Sequence, residues 1–206
     1  TGSKQRGETV LDYVRWVLVR KRDRDAPAPE SVTPALADIV AADTLRLPDG
    51  LDLAGWDEIA AGSPHRFEDY APGDRIDHVD GMTIEESCHM TATRLYQNNA
   101  RVHFNQHVEA QGRFGRRIGY GGHVISLARA LSANGLAAGF RLAAINGGRH
   151  VNPSFAGDTI YAWSEILDRA ALAGRKDAGA VRIRTVACKN RPAADFPDQG
   201  ADGKPD

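Results

Sequence analysis

Between residues 119 and 135 the chain reads GYGGHVISLARALSANG: a glycine-rich opening, then Val124, Leu127, Ala128 and Leu131 at i, i+3, i+4 and i+7, then Asn134-Gly135 as a left-handed stop. This is the best-marked helix of the sequence. After it the period shortens to that of strands, at about 140–151, 159–169 and 179–190, separated by Asn152-Pro153, Gly157-Asp158 and the turn at 174–177. An apolar helix followed by consecutive antiparallel strands must bury its stripe on the sheet they form. The predicted class is α+β, an antiparallel sheet wrapped on one long helix.

The segment before that helix carries its own signals. Pro72-Gly73-Asp74 is turn chemistry and a short strand follows at 75–79. Thr83-Ile84-Glu85-Glu86 matches a capping box, in which Thr83 would bond the third amide of a helix and Glu86 would reach back. Ile84, Cys88, Ala92, Leu95 and Tyr96 then recur at helical spacing, predicting an amphipathic helix through roughly Asn98. Its end brings Asn98, Asn99 and His103 to one place. Earlier, residues 8–21 (ETVLDYVRWVLVRK) are apolar on both alternate faces and read as a largely buried strand. The reading divides the chain into that terminal strand (1–22), a linker and crossing segment (23–66) with three prolines in APAPESVTP, an organised domain (67–192), and a polar tail (193–206) expected to be disordered.

Composition narrows the function classes. The 206 residues are enough for a sizeable core, and 26 Lys+Arg against 27 Asp+Glu leave a net charge of −1, with no positive field to hold a polyanion. Nucleic acid is therefore not the expected partner. No run approaches 18 apolar residues and the N-terminus has no apolar signal core, so neither a membrane span nor a secretory leader is predicted. Two cysteines, Cys88 and Cys188, are too few for a disulfide framework and agree with a cytoplasmic setting. The chain opens on Thr1 rather than Met, which reads as a processed product or a fragment.

The strings FEDYAPGDRI, QNNARVH, GYGGHVISLARAL and VNPSFAGDTIYAWSEIL, in that order over about 67–190, resemble the MaoC-type enoyl-CoA hydratases of the hotdog fold. Within that family, HVDGMTIEE, ATRLYQNNARVHFN, YGGHVISLARALS and YAWSEIL are similar to the hydratases of mesaconyl-CoA. The resemblance implies a double-hotdog arrangement, with ETVLDYVRWVLVRKRD similar to the last strand of a first unit. On that likeness the chain lacks most of the first unit and the closing strand of the second. The early strand then either belongs to the absent half or folds back into the vacant sheet position, since an open edge is a template for pairing.

The resemblance also assigns roles. Hydration of an enoyl thioester needs a group that activates water, a proton donor for the α-carbon and donors for the enolate oxygen. Laid on the family pattern D-x-N-P-x-H, His103 takes the His position and Asn98 the Asp position. An amide is no carboxylate base, so Asn98 would orient a water or the ring, and Glu85, Glu86, Asp80 or the unseen half would supply any carboxylate. Gly121 and Gly122 fall where the family binds the thioester oxygen through a helix N-terminal amide. His123 reads as a core or rim histidine. Arg94, Arg101 and Arg149 are candidate clamps for a substrate carboxylate, and Arg113, Arg116 and Arg117 for coenzyme A phosphates or simply a solvated loop.

His103 and His107 have the H-x-x-x-H spacing of a zinc pair without the central Glu, and no metal or other cofactor is expected beyond coenzyme A as part of the substrate. The implied reaction is reversible hydration of a short branched enoyl-CoA, mesaconyl-CoA to β-methylmalyl-CoA. The alternatives are a catalytically silent acyl-CoA-binding half that completes a partner's tunnel, and thioester hydrolysis on the same fold. The implied assembly is a homo-oligomer, such as a dimer, or a fused second hotdog half.

Overall fold

A computed structural model describes residues 1–17 and 21–198, in two compact units, Thr1–Leu36 and Ala37–Asp206. In the first unit β1 (Gly2–Ser3) pairs antiparallel with β2 (Thr9–Leu11). The buried strand expected over 8–21 is corrected here: only those three residues are extended in a ladder, and Val10, Leu11, Tyr13, Val14, Trp16 and Val17 are exposed. A segment apolar on both faces needs a layer on each side. Among the described residues of this unit the two-residue β1 is the sole strand beside it. Leu18 and Val19 lie outside the described residues.

The second unit begins with little regular structure. Its first α-helix, α1 (Glu58–Ala61), is a single turn whose Asp57 cap accepts hydrogen bonds from the Ile59 and Ala60 amides at 2.9 Å. The sheet follows in the order β3 (Arg75–Thr83), β4 (Thr159–Ala171) and β5 (Gly179–Lys189), antiparallel throughout. Between the first two strands come α2 (Glu86–Leu95), α3 (Gln106–Glu109) and α4 (Gly121–Leu131). After α4 the backbone kinks at Asn134 and Gly135, the latter at φ 96°, as the Asn-Gly stop predicts.

Strand β4 is the centre of the core and is buried on both faces. Ile160, Ala162, Ser164 and Ile166 alternate toward the helix side, where Ile160 and Ala162 meet Ile84, Ala128 and Leu131. Ile166 packs with Tyr70 and Leu136. On the opposite side Trp163 packs with Val186, Cys188, Ala193 and Phe196 and donates its indole N–H to the Pro197 carbonyl at 2.8 Å. The tail expected to be disordered from 193 is therefore placed as far as 198, where Ala193 and Phe196 pack on the Trp163 ring and Pro197 accepts its N–H. Residues 199–206 lie outside the described residues.

Strand β3 carries an irregularity. Asp77 pairs with Trp163 and Gly81 with Tyr161, so four steps on β3 oppose two on β4. Within the bulge Val79 adopts φ 66°, a left-handed conformation uncommon for a β-branched residue, and its amide is bonded to the Asp77 carboxylate at 2.9 Å. Gly81 closes it, since a Cβ there would fall 2.7 Å from the Tyr161 ring. Here the fully buried His78 is anchored: Nδ1–H donates to the Asn134 carbonyl at 2.7 Å and Nε2 accepts from the Ser164 hydroxyl at 2.8 Å. Ser164 in turn lies 2.8 Å from the Thr185 hydroxyl. The chain of bonds ties the end of α4 to all three strands.

Two expectations about this unit are corrected. Residues 140–151 form no strand; Leu142 and Ile145 are exposed, and the segment is held by Phe140 stacked on Trp56 and by Asn146 accepting from the Val40 amide at 2.8 Å. A strand needs a ladder partner, and no described strand lies beside it. The capping box is not formed either. Glu85 is the cap residue of α2, without a side-chain bond, while the Thr83 hydroxyl bonds across the sheet to Thr159 and Glu86 is ion-paired with Arg117. Among the described residues no helix is long and apolar enough to cross a membrane.

Candidate functional site

The start of α4 is built by its own sequence. Tyr120 is the cap residue, in an extended conformation and without a capping side chain. Its carbonyl accepts from the His123 amide at 2.9 Å and the Val124 amide at 3.3 Å, and its own amide donates to His89 Nδ1 at 3.1 Å. Among the described residues the amides of Gly121 and Gly122 have no hydrogen-bond partner. Two donors at the positive end of a helix are thus left over for something else.

Rings lie close over both positions. A Cβ on Gly121 would lie 2.5 Å from Nε2 of His150, and one on Gly122 would lie 2.7 Å from the hydroxyl end of the Tyr120 ring. The His103 ring stands edge-on to Tyr120 with centroids 5.9 Å apart. Its Nδ1–H donates to the Ile118 carbonyl at 3.2 Å, while the Ile118 amide donates to the Val102 carbonyl at 3.2 Å. This two-way link clamps the short 3-10 turn Arg101–His103 to the segment entering α4. With the proton on Nδ1, the lone pair of Nε2 is available as an acceptor. The half-buried imidazole and the two glycine amides therefore share one end of the fold.

The remaining expected residues divide. Asn98 does not reach His103: its carbonyl oxygen accepts from the Ala100 amide at 2.9 Å and its own amide bonds to the Thr93 carbonyl, closing the end of α2. Asn98 and Arg94 line a cleft of about 420 Å³ with Met90, Thr93, Gln97, Asn99 and Phe104. Arg94, Arg101 and Arg149 are exposed and form no ion pair among the described residues. No carboxylate among them is bonded to the His103 ring either. Glu86, the closest candidate by the sequence, is held by Arg117, whose guanidinium also reaches the Phe104 carbonyl at 3.2 Å. Arg117 is thus an internal strut; Arg116 and Arg113 lie on the rings of Phe155 and Phe114. His103 and His107 stand on different short helices, so their spacing does not put them on one helical face.

The buried face of α2 is also not the expected one. Leu95 and Tyr96 are 71% and 67% exposed and Cys88 is exposed, whereas His89 and Thr93 are buried. No sequence motif marks His89, Tyr120 or His150. Tyr120 is flanked by Gly119 and Gly121, the one signal that a backbone there meets another group closely. His89 gives no such sign, because an imidazole in a helix reads as a solvated residue. Burial, and after it the charges of His103 and His123, push the His89 imidazole below the ordinary value of 6.5, the His103 backbone pulling the other way. Burial does the same to His123.

No family model matches the chain. Among curated proteins it is 62% identical over 205 residues to the beta-methylmalyl-CoA dehydratase of Chloroflexus aurantiacus, and 55% identical over 203 residues to the mesaconyl-CoA hydratase of Cereibacter sphaeroides. The crystal structure of a MaoC domain protein dehydratase from C. aurantiacus superimposes with a TM-score of 0.84 at 62% identity, over 91% of this chain. The chain is a member of the MaoC-type hotdog family. This MaoC-type chain spans 58% of the length of each of the two curated relatives and 54% of the crystallised chain. In hotdog terms, α4 is the central helix and β3, β4 and β5 are strands of the sheet wrapped around it.

Proposed function

We propose that this chain carries the chemical half of a hydro-lyase that reversibly adds water to mesaconyl-CoA, giving β-methylmalyl-CoA. The names of the two relatives support the substrate, and one observation supports the chemistry: the unpartnered Gly121 and Gly122 amides beside an imidazole whose Nε2 is open. On this reading the thioester oxygen sits on the two amides. Nε2 of His103 takes a proton from water as the oxygen adds to the β-carbon, and the electron pair of the double bond moves onto the thioester as an enolate. The enolate charge falls on the amides, and the imidazolium returns its proton to the α-carbon, so that one water is consumed and no group leaves. Asn98, through its side-chain N–H, would orient the water, and Arg94, Arg101 or Arg149 would hold the free carboxylate of the substrate. The proposal includes a cytoplasmic setting and a second hotdog unit, fused or from another copy, that completes the acyl pocket.

The test is the absorbance of the conjugated thioester. Its band should fade on adding the protein and persist with His103→Ala, whose rate should drop by about 10²- to 10⁴-fold, the usual weight of a general acid-base group. A second reading, an acyl-CoA-binding half without turnover, is favoured because among the described residues no carboxylate is bonded to the His103 ring. Binding of the thioester with an undiminished band would select it, whereas release of free thiol would select hydrolysis.

A further inference from the structure

His89 has no place in the reaction outlined above, yet it is 1% exposed and touches both halves of the site. Its Nδ1 accepts the Tyr120 amide at 3.1 Å, which requires Nδ1 to be unprotonated and the ring proton to sit on Nε2. That Nε2 has no partner at hydrogen-bonding geometry. A buried donor held by no well-formed bond is destabilising and calls for a compensating role. The ring also lies near the His103 backbone and is sensitive to the charges of His103 and His123. Without His89, Tyr120 would present a third unsatisfied amide at the start of α4, and the Gly119–Tyr120 peptide leading into the helix would lose the bond made by its N–H.

We infer that His89 is a positioning residue for the thioester-oxygen site: by accepting the Tyr120 amide it confines the free donors of α4 to Gly121 and Gly122 and sets their direction relative to His103. The inference rests on the hydratase reading and deepens it. Its chemistry asks for an acceptor at the Nδ1 position, not for an imidazole as such. Asparagine, whose carbonyl oxygen reaches about as far as Nδ1, should substitute for it, and leucine, of similar bulk with no acceptor, should not.

The test compares His89→Leu with His89→Asn in the intact protein that carries this sequence, with mesaconyl-CoA as substrate. His89→Leu should lose kcat by about 10- to 100-fold with KM changed less than about threefold, since misdirected oxyanion donors act on the transition state more than on binding. His89→Asn should recover most of the loss. Equal losses in the two variants, or full kcat in His89→Leu, would overturn the inference. Nitrogen-15 NMR needs no turnover: the wild type should show a His89 ring protonated on Nε2, and the Tyr120 amide proton should shift in His89→Leu and return in His89→Asn. An Nδ1-protonated ring, or a Tyr120 amide indifferent to both changes, would equally overturn it. Should the wild type fail to hydrate the thioester, only the hydratase reading falls, and the NMR result decides the role of His89.

Discussion

A glycine in a helix interior or first turn gives up stability relative to alanine, so a pair of them beside aromatic and imidazole rings needs a reason. Here the reason is proximity: Gly121 faces His150 and Gly122 faces Tyr120. Gly122→Ala should force the Tyr120 ring aside and with it the edge contact to His103. The expected outcome is a loss of kcat of at least about tenfold with an unchanged far-ultraviolet circular dichroism spectrum, measured by the same thioester assay. At Gly121 the neighbour is the far end of a flexible side chain, so Gly121→Ala should be milder, and Gly121→Val should be severe.

Elements show which parts of this molecule its sequence makes legible. Helix α4 and strands β4 and β5 follow from period alone, because each has one dominant burial pattern and well-marked ends. Leu131→Ala, which removes a buried knob where α4 meets β4, should lower stability by about 2–5 kcal/mol in urea unfolding, whereas Leu95→Ala on the exposed side of α2 should change it by less than about 0.5 kcal/mol in the isolated chain. The second expectation runs against the pattern. Along α2 and its C-terminal cap the apolar residues Cys88, Leu95 and Tyr96 mark an exposed face, and the buried positions are instead His89 and Thr93. The stretch at 140–151 fails for a related reason: alternation records a capacity to pair, and pairing depends on a neighbour that local sequence does not name. In the candidate site, His103, Gly121 and Gly122 are proposed through resemblance, while His89, Tyr120 and His150 meet the same backbone through contacts that leave no motif.

For the whole molecule, three imidazoles contribute to the response to acid. Burial first of all holds His78, His89 and His123 below the ordinary histidine value of 6.5. Each is protonated more readily in the unfolded chain than in the folded one. Their contribution to stability is therefore complete above 6.5 and declines as pH falls from there toward the folded values. Urea midpoints should drop between pH 7.5 and 5.5, and the slope should flatten in His78→Asn. The same molecule leaves the outer side of β5 without a strand among the described residues, and elsewhere on its surface Leu142 and Ile145 are exposed. Light scattering should accordingly report a particle larger than one chain; a monodisperse monomer with full activity would contradict this.

The bulge in β3 decides how far this sheet can curl. Because its surplus is an even number of residues, inside and outside keep their phase from Arg75 to Thr83, and the strand can bend around the helix without everting the side chains that follow. Deleting one residue there would turn Met82 off the face it shares with Ile160 and Thr83 away from Thr159, a parity error that no repacking of neighbours could absorb.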